Sequence, residues 1–487
     1  MPDTPADTTA TEAAIRAQFE RGIALVGEGD HEGAIAEFAA GREAAEKAGL
    51  RGLVAGARLN EGYAFSVAGD HDEAIERYAL AVQAASEAGD TRRHLMALMS
   101  DAAELRLVGR NFEAVIVLDE YLGLLPDDAV EQRVRALIDR GIAKAMQDKF
   151  TASHEDLEEA WRLARDAGLS ELERATKFHQ AEVYVRDQDP TSATMLYESG
   201  IREARDAGDT EMLKGVLLSA ASVARMIGTL TAADAYYTEA EELYRAAGDT
   251  RQLAGSLYWH ATTLKDMDRP EDAYALWQEE EGLLREMEET GALAECLFAQ
   301  AELLREYGEW DDAVERYAEA AGLFGTLENT RMQADALYWL AMSLWSAGRN
   351  EEAAERAAEL LEIASVDETH ELEGKALGMR AMALADAGDT AGANEALDAA
   401  GTLCEEHSLD VLAIWMLARR AYVMAREGTT GDEVAGQMET VFRVAFEREQ
   451  SGAGEAAIRR ISDDIVKRVS DEYAAPLGTF KETFLTS

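Results

Sequence analysis

Residues 53–90 read LVAGARLNEGYAFSVAGDHDEAIERYALAVQAASEAGD, and this stretch decides the fold. Apolar and small residues fall at helical spacing from Leu53 to Ala68, and Gly69-Asp70 then breaks the pattern. The spacing resumes from His71 to Ala88 and ends at Gly89-Asp90. Gly at such a break suits a left-handed C-cap, and the Asp after it suits the N-cap of the next helix. The stretch therefore predicts two helices joined by a tight turn. Outward from it, the same phrase returns every 40 residues as a turn, an Ala and usually a large apolar residue four positions later. Ala34 leads to Phe38, Ala74 to Tyr78 and Ala114 to Leu118. After a slip of one residue, Ser153 leads to Leu157 and Ala193 to Tyr197. Ala233–Tyr237, Ala273–Trp277, Ala313–Tyr317, Ala353–Ala357 and Ala393–Leu397 follow. A fixed period of this kind marks a repeat array, in which each unit buries its apolar face only against its neighbours.

The rest of the chain agrees with helices. It has 487 residues, only 6 Pro, and 38 Gly that fall mainly near turns. Eleven helix pairs are expected between about residues 12 and 450, the eleventh with a longer turn at Gly428-Thr429-Thr430-Gly431. Pro126 closes the third repeat early, which accounts for the slip. Residues 1–11 are polar and acidic and are expected to be disordered. One more amphipathic helix, about Glu455 to Tyr473 within the tail 451–487, is expected to cap the last repeat.

The tetratricopeptide repeat family places a small residue in the first helix where a neighbouring helix crosses closely. Twelve residues before the turn Ala this chain has Gly22, Gly62, Ala102, Gly141, Ala181, Ala221, Ala261, Ala301, Ala341, Ala381 and Ala421. The family's second small position, seven after the turn Ala, holds Ala81, Ala160, Ala240, Ala320 and Ala400, with departures at Tyr121, Glu280 and Leu360. The chain resembles that family in its long, about 40-residue class, over roughly nine-tenths of its length. The resemblance implies an all-α, right-handed α-solenoid whose first helices line a concave groove. It is specific for fold and says little about function.

Acidic residues number 95 against 47 basic, a net charge of −48. Such a chain repels nucleic acid and anionic membranes, so neither is an expected partner. The basic residues are 38 Arg and 9 Lys, a bias that suits either a salt-rich cytosol or the codon usage of a GC-rich genome. Cys296 and Cys404 are too far apart in sequence, and too poor in His or Cys neighbours, for a zinc motif or a disulfide framework. No basic-then-apolar leader and no apolar run of membrane length is visible, so a cytoplasmic protein is expected. Phosphate-binding loops, dinucleotide fingerprints, zinc-protease motifs and nucleophile elbows are all missing, and no cofactor, metal or catalysis is expected.

The register of the repeats supplies the candidate site. Eight residues before the turn Ala stand Arg106, Arg225, Lys265 and Arg305, with Arg186 one position off and Trp345 continuing the column. Beside it runs an apolar column, Phe178, Leu218, Tyr258, Phe298 and Tyr338, with Trp259 and Trp339 each following a Tyr. Arg suits bidentate carboxylate capture, and large aromatics make binding anchors. The column can receive an acidic peptide or protein segment. It can equally be salt-bridged internally, because Glu302 lies three before Arg305, Glu182 four before Arg186, and Asp266 beside Lys265. Phe19, Ile23, Val26, Tyr63 and Val67 form a second apolar candidate surface, for a hydrophobic helix or for self-association. Three functions fit these features: an interaction scaffold, a peptide- or ligand-sensing regulator acting through a separate output partner, and a self-assembling structural subunit.

Overall fold

The computed structural model describes residues 5–366 and 369–430, together with 433, 434, 436, 437 and 440. Its contacts divide the chain into two compact units, Met1–Leu243 and Tyr244–Ser487. Every regular element among the described residues is a helix. The first unit contains α1 (Pro5–Glu28), α2 (His31–Lys47), α3 (Arg51–Ala68), α4 (His71–Ala88), α5 (Thr91–Leu107), α6 (Asn111–Leu124), α7 (Val130–Ala145), α8 (Phe150–Asp166), α9 (Ser170–Arg186), α10 (Pro190–Ala207) and α11 (Thr210–Met226). The unit boundary falls within α12 (Leu230–Ala247). The second unit continues with α13 (Thr250–Asp266), α14 (Pro270–Glu286), α15 (Thr290–Glu306), α16 (Trp310–Thr326), α17 (Thr330–Ser346), α18 (Asn350–Val366), α19 (His370–Ala387), α20 (Thr390–Glu406) and α21 (Asp410–Arg426).

Most of the described helices end because their last carbonyls are satisfied by a turn in the left-handed region. Gly29, Gly69, Gly89, Gly208 and Gly388 all have positive φ at that place. Side chains then start the next helix. Asp30 accepts from the Gly33 amide at 2.9 Å and Asp209 from the Met212 amide at 3.0 Å. Asp389 accepts from the Gly392 amide at 2.9 Å. Such a cap contributes about 1 kcal/mol. The slip has the expected cause: α6 stops at Leu124, and Leu125, held extended before Pro126, cannot continue the helix.

Within each pair the turn Ala is the close-packing point. Ala34, Ala74, Ala114, Ser153, Ala193, Ala233, Ala273, Ala313, Ala353 and Ala393 are fully buried. The small first-helix residue faces the large residue of its own repeat. A Cβ on Gly22 would lie 2.5 Å from the Phe38 ring, and one on Gly62 would lie 2.7 Å from Tyr78. Within each unit consecutive helices pack together, as α3 with α4 and α15 with α16 do, and α1 with α3, α3 with α5, α7 with α9, α17 with α19 and α19 with α21 add contacts between successive first helices.

The first described element, α1, begins at Pro5, a residue that fits a first helical turn, and Ala6, Ala10, Ala13 and Ala14 favour the helix. The second helix of the eleventh pair lies mostly outside the described residues, and the expected capping helix at 455–473 lies wholly outside them.

Candidate partner-binding face

The basic column falls in the last turn of the first helices, where one repeat reaches the first helix of the next, and the apolar column lies at the middle of the same helices. In the first unit, Arg106 on α5 forms an ion pair with Asp139 on α7. Burial raises the Asp139 carboxyl, and the Arg106 charge opposes that rise. Arg186 on α9 donates from Nε to the Ala145 carbonyl at 3.1 Å and lies 3.6 Å from Asp148. Arg225 on α11 is half-buried beside Tyr237, whose phenol is pushed up by burial.

In the second unit the residues are drawn together more closely. Lys265 on α13 donates from Nζ to Glu306 on α15 at 3.0 Å. The adjacent Arg305 donates from Nε to the Tyr317 hydroxyl at 3.3 Å. Its guanidinium sits 4.2 Å from the centroid of the Trp339 ring. Trp339 in turn meets Tyr338 edge-on at 5.2 Å. Trp259, 44% exposed, packs edge-on against Tyr258 at 5.1 Å. Burial, with neighbouring carboxylates, pushes the Tyr258 phenol up. Phe178 and Phe298 face Tyr197 and Tyr317 at 6.0 and 5.4 Å, so these two belong to the packing between helices.

Trp345 departs from the expected surface role. It is 5% exposed, and its indole N–H donates to Asp386 at 2.8 Å. The Tyr422 hydroxyl also donates to Asp386, and Arg426 lies 2.6 Å from it. Trp345 therefore ties α17, α19 and α21 together instead of facing solvent. Lys265–Glu306 and Trp345–Asp386 are the same contact in different chemistry: the column residue bonds the acid 41 positions on. The sequence offered Glu302, Glu182 and Asp266 as internal partners of the column; the contacts present are with other groups, Lys265 with Glu306, Arg186 with Asp148 and Arg305 with the Tyr317 hydroxyl.

A second ladder runs along the second helices and was missed in the sequence. Arg205 on α10 forks onto Glu239 on α12. Arg245 reaches Glu279 at 3.0 Å, and Arg285 reaches Glu319 at 2.7 Å. An Arg every 40 residues with a Glu 34 later was the available signal. In the other candidate surface, Ile23, Tyr63 and Val67 are 55%, 51% and 45% exposed. Phe19 and Val26 are instead partly buried and pack against neighbouring apolar side chains. Among the described residues no helix is long and apolar enough to cross a membrane, and no cluster of His, Cys, Asp and Glu could hold a metal ion.

No family model matches the chain, and no curated protein matches it. Solved structures do. The chain is similar to the apo form of RapI with a TM-score of 0.50 and 14% identity, over 75% of this chain and 98% of that one. The apo form of the quorum sensor NprR from B. thuringiensis gives a TM-score of 0.45 and 15% identity, over 72% of this chain and 99% of that one. A signal-transduction ATPase with a tetratricopeptide repeat sensor from Pyrococcus horikoshii gives 0.48 and 16%, over 70% of this chain and 55% of that one. At such identities the likeness concerns the fold alone: an all-α helical-repeat array of the tetratricopeptide type.

Proposed function

We propose that the chain is a non-enzymatic interaction scaffold that holds an extended, acidic partner segment along the first helices of its second unit. The single observation that carries this is the cluster built by Lys265, Arg305 and Trp339, with the exposed Trp259 on the same helix as Lys265. Aromatic and Arg side chains are the usual energetic centres of protein interfaces. The Lys265 cation already bonds Glu306, so an acidic segment engages it by exchanging its own carboxylate for that of Glu306. Such an exchange is close to neutral for half-exposed charges. Net affinity must therefore come from aromatic burial, with charge setting register and on-rate.

Capture from the native lysate tests this, comparing wild type with the triple variant Trp259→Ala, Lys265→Glu, Arg305→Glu. The variant is expected to keep its helical circular dichroism and to lose the captured partner. An unchanged set of captured proteins would sink the proposal.

A further inference from the structure

We infer that the second unit contains a site for an apolar carboxylate, in the cleft between α17, α19 and α21, and that Arg419 is its anion-binding group. The cleft encloses about 560 Å³, within the range of small-ligand pockets. Tyr338, Leu409, Leu412 and Trp415 supply its apolar walls. Arg419 and Lys375 supply its cations, and Glu371, which pairs with Lys375, is the carboxylate of its lining.

Arg419 is the unusual member. It is 8% exposed, and among the described residues no carboxylate pairs with it. Its guanidinium makes one hydrogen bond, from Nη1 to the Lys375 carbonyl at 3.3 Å. A guanidinium has five donors, and a buried charge without a counter-ion is strongly disfavoured. The chain has 95 acidic residues, and Lys214, the other fully buried cation among the described residues, pairs with one of them, Glu211, at 3.0 Å. Arg140 takes both Asp119 and Asp156, and Lys177 takes Glu203 at 2.7 Å. Arg419 has none, yet it faces a cavity.

The backbone of α19 is adapted to it. A Cβ on Gly378 would collide with Arg419 Nη1, and one on Gly374 would collide with the Leu412 side chain. Two glycines one turn apart thus leave a trough in which Arg419 and Leu412 lie. Lys375, between them, is held by Glu371 at 2.8 Å and stands as a second cation at the same cleft. A bound carboxylate would accept a bidentate pair from Arg419 while its apolar body covers Trp415 and Tyr338. That body can belong to a free small acid or to the C-terminal residue of a peptide, because both present the same group. The site touches the Lys265–Arg305–Trp339 cluster only through Tyr338, which meets Trp339 edge-on; its anion-binding group Arg419 lies outside that cluster, so the inference stands whether or not the cluster binds a partner.

Titration calorimetry on the full chain distinguishes the outcomes. The probes are 3-phenylpropionate, its uncharged amide, and a tripeptide ending in Phe with either a free or an amidated C-terminus. Wild type is expected to bind 3-phenylpropionate or the free-ended tripeptide at one site, and neither amide. Arg419→Gln is expected to lose at least about tenfold in affinity, the loss of one charge-assisted pair. In thermal scans the bound probe should raise the midpoint of wild type and leave that of Arg419→Gln unmoved. Arg419→Gln alone should melt at or above wild type, because its buried charge is uncompensated without ligand. Lys375→Gln, which keeps Arg419, should bind with a smaller loss. Equal binding of acid and amide, no binding of either acid at millimolar concentration, or unchanged affinity in Arg419→Gln would each overturn the inference.

Discussion

Glu280 shows how a single residue can break the repeat and change its chemistry. Its position, seven after the turn Ala, is filled by buried Ala81, Ala160, Ala240, Ala320 and Ala400 elsewhere. Glu280 is 3% exposed, lies beside the Cys296 thiol, and one of its carboxyl oxygens has no partner. Burial pushes its pKa up to about 8 from an ordinary 4.5. Between those values the folded chain keeps a proton that the unfolded chain releases. Stability is thus greatest below the lower value and is lost as pH rises toward the upper one. Glu280→Gln reproduces the protonated form at every pH. It should melt with wild type near pH 5 and at least about 2 °C higher near pH 8.5, given the usual conversion of stability into midpoint. Asp101 in the first unit, pushed up to about 7 by burial, adds a similar slope that the variant leaves in place. Thermal midpoints across that range check the claim, and parallel curves for the two proteins would refute it. The departure at 280 was legible in the sequence as a broken pattern. Its burial against Cys296 was not, because that needs α14 packed on α15.

At the level of elements, the turns and the crossing points were legible and the pairings between repeats were not. Gly and Asp at fixed places announced the caps, and the small first-helix residues announced where helices touch. Both follow from local backbone rules and volume, which a sequence states directly. Ion pairs such as Arg245–Glu279 and Lys265–Glu306 need the stacking distance between repeats, which sequence spacing does not contain. The same limit moved Trp345 from a supposed surface to the interior: its register matched the cations, while its partner Asp386 sat in the next repeat. Volume remains the stricter constraint. Gly62 lies against the 4% exposed Tyr78, and other repeats accommodate at most Ala at this place. Gly62→Val adds three carbons against the buried Tyr78 ring, so it should destabilise by about 1–3 kcal/mol. Denaturant midpoints measure this. A variant as stable as wild type would mean that the Tyr78 ring moves freely.

For the whole molecule the deciding quantity is charge. A net −48 on 487 residues makes the folded chain repel itself at every scale beyond a contact. Opposing this are the exposed pairs, such as Arg285–Glu319 with side chains 43% and 39% exposed. Pairs of that exposure contribute about 0–1 kcal/mol each, and many contribute nothing measurable. Salt acts on both terms. Raising ionic strength from about 0.1 M to 1 M shortens the screening length from about 10 Å to 3 Å. Pairs in contact at 3 Å keep much of their attraction at that length, whereas repulsion between carboxylates one repeat apart is largely removed. Repulsion should therefore be the term that salt cancels more. The melting midpoint is expected to rise steadily with sodium chloride over that range, the reverse of a protein held mainly by surface ion pairs. A charge-neutral osmolyte at equal osmolality should give a smaller rise, because it leaves the field intact. If the midpoint falls with salt, the ladders of Arg and Glu outweigh the net charge, and the acidity of the surface has no bearing on how this array holds together.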